Sequence, residues 1–319
     1  MKIVVTGSIA YDYLMSFPGK FTDSLVANQL HTVSLSFLVD SLDRQRGGTA
    51  ANIAYTLALL GGRPTVMATA GHDFSDYRAW LDSHGVDTSA IVEIEDIFCA
   101  SFFVNTDQAQ NQIASFYTGA MAYAGKLSFA QYAADADLTI IAPNAPDAMT
   151  QYAAECRELG IPFIYDPSQQ AARFTGEDLL QGLDGSQMLA VNEYEYQLIQ
   201  EKTGLNEDQI LQKVGSLLVT LAGEGARLVI NGDELRIPVV PPSAISDPTG
   251  SGDAFRAGMM RGMQLDLPWE IAGRMGALAA TYVLEQLGPQ NHAYSPQEFV
   301  ARYRQHFDDD GALDILLTN

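Results

Sequence analysis

Short apolar runs ending in a small or polar residue alternate with helical patterns along most of the chain. The strand-like "KIVVTG" precedes "TAANIAYTLALLGG", which spaces Ile53, Leu57 and Leu60 as in a helix and stops at Gly61. The alternation continues through "TVMATAG", "DFSDYRAWLDSHG", "LTIIAPN", "AMTQYAAECRELG", "PFIYDPS", "MLAVNE", a predicted helix at "ILQKVGSLL", and "RLVINGD". This order predicts an α/β fold whose central, mainly parallel sheet is flanked by helices.

Two stretches interrupt this alternation. Residues 13–46 contain "SFPGKF" and "LHTVSLSFLVD", which alternate in a β-like way, and residues 91–118 contain two β-rich runs around a polar tip, Thr106 to Asn111. The second pattern is typical of a hairpin. We expect both insertions to build a small sheet apart from the main one, within a single domain over residues 1–319.

Composition limits the partners. The 319 residues carry a net charge of -21, which argues against nucleic acid because its binding relies on Lys and Arg. A small phosphorylated ligand remains compatible, since backbone N–H groups and a metal ion can hold it. Cys99 and Cys156 are expected to be buried free thiols, and no segment reaches the length of a membrane span. A cytoplasmic protein is the expectation.

The stretch "SDPTGSGDAFRAGMM", Ser246 to Met260, sets small residues directly before a helical pattern. The first N–H groups of a helix lack internal partners, and glycine lets an anion approach them. A glycine-rich turn before a buried helix is the simpler alternative. Asp253 in the first turn would compete with an anion for these donors, which favours a chemical role. It could accept a proton from a hydroxyl while the N–H groups stabilise a transferring phosphoryl group.

Five segments in order resemble the ribokinase-like (PfkB) sugar and nucleoside kinases. They are "GSIAYD" (7–12), "RGGTAANIAYTLALLGG" (46–62), "NEYE" (192–195), "TLAGEGA" (220–226) and "DPTGSGDAF" (247–255). Pro248 and Ser251 stand where the family usually has Thr and Ala. The resemblance implies a ribokinase-like α/β fold with a small β-sheet lid, and transfer of the γ-phosphoryl group of ATP to a hydroxyl. Lid closure over the sugar is implied as well.

The resemblance also implies site residues. Asp253 would be the catalytic base, with Gly250, Ser251 and Gly252 as its anion hole. Asp12 would accept hydrogen bonds from two neighbouring sugar hydroxyls. The remaining implied acceptor contacts are made by the glycine pair Gly47 and Gly48 and by Asn52. For Asp12 the alternative is a solvated turn residue, and for Asn52 a satisfied buried amide.

A second group of residues is implied to bind ATP and its ions. Asn192 and Glu195 would lie near Mg²⁺ (magnesium) and its waters, although "NEYE" also suits a helix N-terminus capped by Asn192. Thr220, Gly223 and Gly225 would contact ATP, with Ala222 replacing the first glycine usual in the family. Asp247 would help to hold a monovalent cation such as K⁺.

The two insertions bear on which hydroxyl compound is the acceptor. Their aromatic and apolar residues suit a nucleoside base, and equally a small core within the lid; they are Phe37, Leu38, Phe103, Phe116 and Tyr117. Ala10, where ribokinases tend to carry Asn, and the long first insertion resemble bacterial adenosine kinases. We therefore expect adenosine, with Phe116 in the base slot. A ribose or fructose kinase is one alternative, and a non-catalytic nucleotide-binding regulator is another.

One departure from the adenosine kinases concerns the hairpin tip "NTDQAQNQ", which lacks their phosphate-binding arginine. Gln108, Gln110 or Arg46 could substitute for it. A Rossmann dehydrogenase is disfavoured, because "GSIAYD" lacks GxGxxG. Either a monomer or a homodimer is compatible with the sequence.

Overall fold

A computed structural model describes residues 1–24 and 35–318. Its strands are β1 (Ile3–Thr6), β2 (Ala10–Ser16), β3 (Ser41–Gly47), β4 (Thr65–Gly71), β5 (Ile91–Ile94), β6 (Ala100–Thr106), β7 (Gln112–Tyr117), β8 (Leu138–Ile141), β9 (Phe163–Tyr165), β10 (Met188–Asn192), β11 (Ser216–Thr220), β12 (Ala226–Ile230) and β13 (Asp233–Ile237). They form two sheets, a large one and a small one.

The helices are α1 (Phe21–Ser24), α2 (Thr49–Leu59), α3 (Ser75–Ser83), α4 (Phe129–Tyr132), α5 (Pro146–Leu159), α6 (Gly176–Leu183), α7 (Glu193–Thr203), α8 (Glu207–Leu211), α9 (Ser251–Gln264), α10 (Trp269–Leu284) and α11 (Pro296–Tyr303). Short 3₁₀ turns lie at Gly119–Lys126, Ser168–Ala172, Ala222–Glu224 and Ala312–Leu317. Among the described residues, no helix combines the length and apolar character needed to cross a bilayer.

The large sheet has the strand order β13-β12-β11-β10-β9-β8-β1-β4-β5. Its strands run parallel from β11 through β5, and β12 and β13 add an antiparallel edge. Helices cover both faces, so successive residues of one strand enter different cores. Val5 packs in the core beneath α2 and α9, whereas Val4 packs in the core beneath α5, α6 and α7. Burial on both faces explains why these strands are continuously apolar. The predicted fold class is confirmed.

The small sheet has the order β3-β2-β6-β7. In one row across it, Asp12 pairs with Gln45 on β3 and with Phe102 on β6, and Phe102 pairs with Phe116 on β7. Side chains in such a row share one face of the sheet. This face is directed toward the carboxyl ends of the large sheet's strands, where ligands bind in open α/β folds.

Two predicted segments differ from the structure. The helix expected at "ILQKVGSLL" ends at Leu211, because the capping box of Asn206 already starts α8 at Glu207. The leucines that follow belong to β11, which begins at Ser216 and is buried in the core of the large sheet. Within "LHTVSLSFLVD", residues 30–34 lie outside the described part, and 35–39 form no strand, since Phe37 packs on Phe17 and Phe21.

The small sheet also uses slightly different residues from those expected. It begins at Ala10, in β2, and β5, within the second predicted insertion, joins the large sheet beside β4. The hairpin predicted around residues 106–111 is present as β6 and β7. Cys99 and Cys156 are buried free thiols, as expected.

Candidate active site

A cavity of about 730 Å³ lies between the small sheet and the carboxyl ends of the large sheet's strands. Residues that directly follow these strands line it, including Ser8 after β1, Pro143 after β8 and Ser168 after β9. Of the predicted site residues, those lining it are Asp12, Gly48, Asn52, Phe116, Asn192, Glu195, Thr220, Gly250, Ser251, Gly252 and Asp253.

A second cavity of about 530 Å³ adjoins the first. Thr220, Ala222, Ser251 and Gly252 line both cavities, so they form a shared wall. The second cavity is lined mainly by apolar side chains, among them Val239, Val240, Pro241, Pro242, Ile245 and Phe255, and it includes the predicted Gly223 and Gly225. Asp247 and Gly47 line neither cavity.

Helix α9 begins at this shared wall. Gly250 precedes the helix with φ 82, and a Cβ there would meet the ring of Pro289 at 2.5 Å, so glycine is required. The Ser251 N–H donates to the Pro248 carbonyl at 3.2 Å, which removes it from the predicted anion hole. No acceptor in residues 1–24 or 35–318 meets the N–H groups of Gly250, Gly252 or Asp253. These amides are free for an anion.

Asp253 is partly buried in the cavity wall. Removal from bulk water raises its pKa to about 6, against the opposing effects of a hydrogen bond from Asn52 and the charge of Arg256, while Glu195 adds to the rise. The Asn52 Nδ2 donates to Asp253 Oδ2 at 2.8 Å. Asp253 can therefore exist as an ionised base at neutral pH, with its second oxygen available.

Asp12 lies in β2, after β1, and not in the solvated turn that was its alternative interpretation. No donor within the described ranges reaches its carboxylate. Burial, together with the charges of Asp247 and Asp253, raises its pKa to about 6. An unsatisfied carboxylate facing a cavity is suited to accept hydrogen bonds from a ligand's hydroxyls.

The paired glycines lie in close contact with other atoms of the protein, which leave no room for a side chain at either position. A Cβ on Gly48, at φ 93, would lie 2.5 Å from the Ser8 carbonyl oxygen, and one on Gly47 would lie 2.5 Å from Asp12 Oδ2. At Gly47 the missing side chain makes room for the Asp12 carboxylate, and ligand contact there stays a prediction. Asn52 is satisfied by protein, because its Oδ1 accepts from Gln290 Nε2 at 2.8 Å.

Asn192 and Glu195 form a reciprocal N-terminal cap on α7. The Asn192 side chain accepts from the Glu195 N–H, and Glu195 Oε2 accepts from the Asn192 N–H, both at 2.8 Å. Glu195 Oε1 accepts from the Ser168 hydroxyl at 3.3 Å. Asp247 accepts from the N–H groups of Thr249 and Gly288, and so ties the loop before α9 to residue 288.

The predicted glycine-rich turn after β11 has mixed roles. Gly225, at φ 90, packs against the Ile237 carbonyl, whereas Gly223 has open space around it. Ala222 holds φ 49, a left-handed conformation that favours glycine, which the family usually has there. Thr220 Oγ1 lies 3.5 Å from the Val191 carbonyl oxygen.

Of the aromatic candidates, the structure places only Phe116 in the cavity, and Phe102 and Met121 accompany it. Phe103 stacks on Tyr13 on the opposite face of the small sheet, with ring centroids 4.7 Å apart. Tyr117, on the same strand as Phe116 and one residue later, also points to that face. Leu38 is 86% exposed.

Sequence reasoning missed a buried ion pair at the base of the cavity. Arg256 and Asp166 approach to 2.5 Å, and each is less than 10% exposed. The signals were available: Asp166 directly follows β9, and Arg256 lies one turn after Asp253 in an apolar helix. Arg173, Gln290 and Phe102 were also missed. Gln108, Gln110 and Arg46, proposed as arginine substitutes, do not line the cavity, and Arg46 lies over Trp80.

Residues 3–296 match the family model that is described as pfkB family carbohydrate kinase. The chain belongs to the pfkB family of carbohydrate kinases. This PfkB chain is similar to a Burkholderia thailandensis nucleoside kinase solved in complex with inosine, at 35% identity and a TM-score of 0.85, covering 96% of this chain and 98% of that one. The same nucleoside kinase was also solved with ADP-inosine.

Curated relatives of this PfkB chain include a nucleoside kinase of Methanothermobacter thermautotrophicus, 26% identical over 307 residues, which span 94% of this chain and 95% of the relative. An adenosine kinase structure from Sinorhizobium meliloti has a TM-score of 0.73 at 19% identity, and covers 96% of this chain and 99% of its own. That likeness shows the fold alone.

Proposed function

We propose that this protein is an ATP-dependent kinase that phosphorylates the 5′-hydroxyl of a purine nucleoside. One observation carries the proposal. Asp253 lines the larger cavity directly after Gly252, which belongs to the wall shared by the two cavities, so an acceptor held beside Asp253 can meet a phosphoryl donor from the second cavity. The nucleoside kinase relatives support the same class of acceptor.

The larger cavity is suited to the nucleoside. Asp12 has both carboxylate oxygens available, as a pair of neighbouring ribose hydroxyls requires. Phe102, Phe116 and Met121 offer apolar and aromatic surface for the base. With the ribose held by Asp12, the 5′-hydroxyl is directed to Asp253.

The apolar second cavity is suited to the base of ATP, with the triphosphate passing along Thr220 and the amides of Gly250, Gly252 and Asp253. Arg173 is the cation available to the phosphates. It is exposed, lines the larger cavity, and has no acidic partner in the described part of the chain. Arg256, the other cavity arginine, is neutralised by Asp166.

In the proposed step Asp253 takes the proton of the 5′-hydroxyl as that oxygen attacks the γ-phosphorus. A new O–P bond forms, and the bond from the γ-phosphorus to the oxygen bridging it to the β-phosphate breaks. The bridging oxygen leaves with ADP. The free amides stabilise the charge on the transferring group, which is the main task of a protein in phosphoryl transfer.

Magnesium fits the donor set. Among the described residues no cluster of three or more His, Cys, Asp or Glu side chains has metal-binding geometry. Mg²⁺ needs only one or two carboxylates beside waters and phosphates, and Glu195 faces the cavity. Bound Mg²⁺ would neutralise phosphate charge. For K⁺, Asp247 remains the proposed contact, although backbone N–H groups already occupy both its oxygens.

Adenosine is the first acceptor that we propose, and inosine is the second because a structure 35% identical to this chain holds it. The remaining proposals are a single domain over residues 1–319, the small sheet as a lid, a monomer or homodimer, and a cytoplasmic location.

The test is ADP release with ATP and a panel of adenosine, inosine, cytidine, ribose and fructose. Asp253→Asn should lower kcat at least about 100-fold and leave nucleoside binding near wild type. Asp147→Asn is the matched control, because Asp147 also lies in the first turn of a helix but lines neither cavity. Turnover by Asp253→Asn would refute the mechanism. Turnover of ribose or fructose alone would favour a sugar kinase, and nucleoside binding without any turnover would favour a regulator.

A further inference from the structure

The segment between α10 and α11 reaches the proposed base through one side chain. Gln290 is 3% exposed, and its Nε2 donates both to Asn52 Oδ1, at 2.8 Å, and to the Tyr77 hydroxyl oxygen. Asn52 in turn donates to Asp253, and the Tyr77 hydroxyl donates to the Gly47 carbonyl at 2.9 Å. These four side chains form a continuous relay from the small sheet to α9.

The direction of every hydrogen bond in this relay is fixed by its ends. The ionised Asp253 carboxylate can only accept, so Asn52 must present its NH₂ there and its oxygen to Gln290. At the other end the Gly47 carbonyl can only accept, so the Tyr77 hydroxyl uses its hydrogen there, and its oxygen must accept. Gln290 therefore has to supply two donors, which one NH₂ group does.

A second observation concerns the other atom of the same amide. Gln290 Oε1 is buried with no hydrogen-bond partner within the described ranges. Leaving a buried acceptor unsatisfied is costly. An apolar side chain of similar length, such as Met, would avoid that cost. We therefore attribute the presence of glutamine at position 290 to its two N–H donors and not to the space that its side chain fills.

We infer that Gln290 is a positioning residue for phosphoryl transfer, which locks the Asn52 amide so that its NH₂ faces Asp253 and leaves the second Asp253 oxygen for the acceptor hydroxyl. The inference rests on the proposed function. Without Gln290 the Asn52 amide can turn its oxygen toward the carboxylate. The ionised base then loses a donor and gains a repulsive neighbour.

The test uses Gln290→Met and Gln290→Leu in the 319-residue protein with ATP and the best acceptor of the panel. We expect kcat to fall at least roughly tenfold, with nucleoside affinity within about twofold of wild type. The acidic limb of the pH profile of kcat/KM should move to higher pH, because the hydrogen bond that favours ionised Asp253 is lost. The other charges that face Asp253 are Arg256, Glu195, Asp166 and Asp12, and both variants leave them unchanged.

Gln151→Met and Gln151→Leu are matched controls, since Gln151 lies on α5 and, within the described ranges, bonds only Leu127 and Glu155. A merely structural role for Gln290 would lower Tm and active fraction without moving the acidic limb, and this result would overturn the inference. If Gln290→Met fails to fold, Gln290→Leu, which is smaller and likewise adds no charge, decides the same question.

A double-mutant cycle with Asn52→Ala adds an independent criterion. Because Gln290 acts through Asn52, the double variant should match Asn52→Ala alone in kcat and in the acidic limb. Additive losses would overturn the relay. Failure of the proposed function is distinguishable, since the wild-type protein would then release no ADP with any acceptor.

Discussion

Asn52 and Asp253, which are 201 residues apart in sequence, are joined by a hydrogen bond of 2.8 Å. The bond places an amide donor from α2 against the first turn of α9. It opposes the effect of burial, which raises the pKa of Asp253 to about 6. The balance leaves a base that is ionised at neutral pH yet close to its titration range, as general base catalysis favours.

The first prediction concerns the pH dependence of activity. Asp253 accepts a proton only when ionised, and Asp12 accepts two hydrogen bonds only when ionised. Both pKa values lie at about 6. We expect kcat/KM to rise with pH up to about 6 and to level off above it, with a log–log slope between one and two on the acidic side. A flat profile between pH 5 and 7 would contradict these roles.

The second prediction concerns stability. The pKa of Asp253 is raised in the folded state, so folding favours its protonated form, and the ionised carboxylate reduces stability as pH rises through about 6. Asp253→Asn should therefore raise the free energy of unfolding at pH 7.5, by about 1–3 kcal/mol. The gain should vanish near pH 3, below the pKa of this aspartate in the unfolded chain, where both proteins are uncharged at this position. Urea titrations at the two pH values measure it, and an equal gain at both would count against the assignment.

Much of this site could be predicted because it is local in sequence. The segment Gly250 to Asp253 predicts the N-terminus of a helix, and the pair Asn192 and Glu195 predicts a helix N-terminus with a side-chain cap. The relay could not be predicted, because Gln290, Tyr77 and Asn52 come from three separated segments that meet only after the sheet is assembled. No periodicity marks a single buried glutamine.

The third prediction separates the two faces of the small sheet. Phe116 lines the cavity, whereas Phe103 stacks on Tyr13 on the other face. Phe116→Ala should raise the KM for the nucleoside about five- to tenfold, through loss of about 1–1.5 kcal/mol of aromatic contact. Phe103→Ala removes the same volume and should leave this KM unchanged. Equal effects of the two variants would refute the base slot.

Side chains alternate between the two faces of a strand, so the sequence alone could not decide which of the aromatic candidates face the cavity. Phe102 and Phe116 share a face because β6 and β7 pair them directly. That register depends on the hairpin turn and the partner strand, which a single sequence does not give. A shift of one residue would have put Phe103 and Tyr117 in the cavity instead.

The fourth prediction concerns the phosphate-binding cation. Arg173 lies just after the 3₁₀ turn Ser168–Ala172. Lys202 Nζ donates hydrogen bonds to the backbone carbonyl oxygens of Ala171, Ala172 and Phe174 on either side of it. This anchoring and the burial of Phe174 fix the segment that carries the arginine. Arg173→Gln should weaken ATP binding about tenfold, a charge-assisted hydrogen bond being worth about 1.5–3 kcal/mol.

Calorimetric titration with ATP measures this effect, and it should shrink at high salt. Arg63→Gln is the control, because Arg63 is an exposed arginine that lines neither cavity. Unchanged ATP affinity in Arg173→Gln would contradict the assignment of Arg173 as the cation that binds the phosphates.

The last prediction concerns the buried pair Arg256 and Asp166, which joins α9 to the end of β9. Removing one partner leaves an uncompensated buried charge, so Asp166→Leu should lower the free energy of unfolding by about 3–5 kcal/mol. The double variant Asp166→Leu with Arg256→Met removes both charges and should recover most of that loss. Activity should not recover with it, because Arg256 also lowers the pKa of Asp253. Stability and turnover, measured on the wild-type protein and these two variants, should therefore separate; if both recover together, the pair serves only to hold the fold.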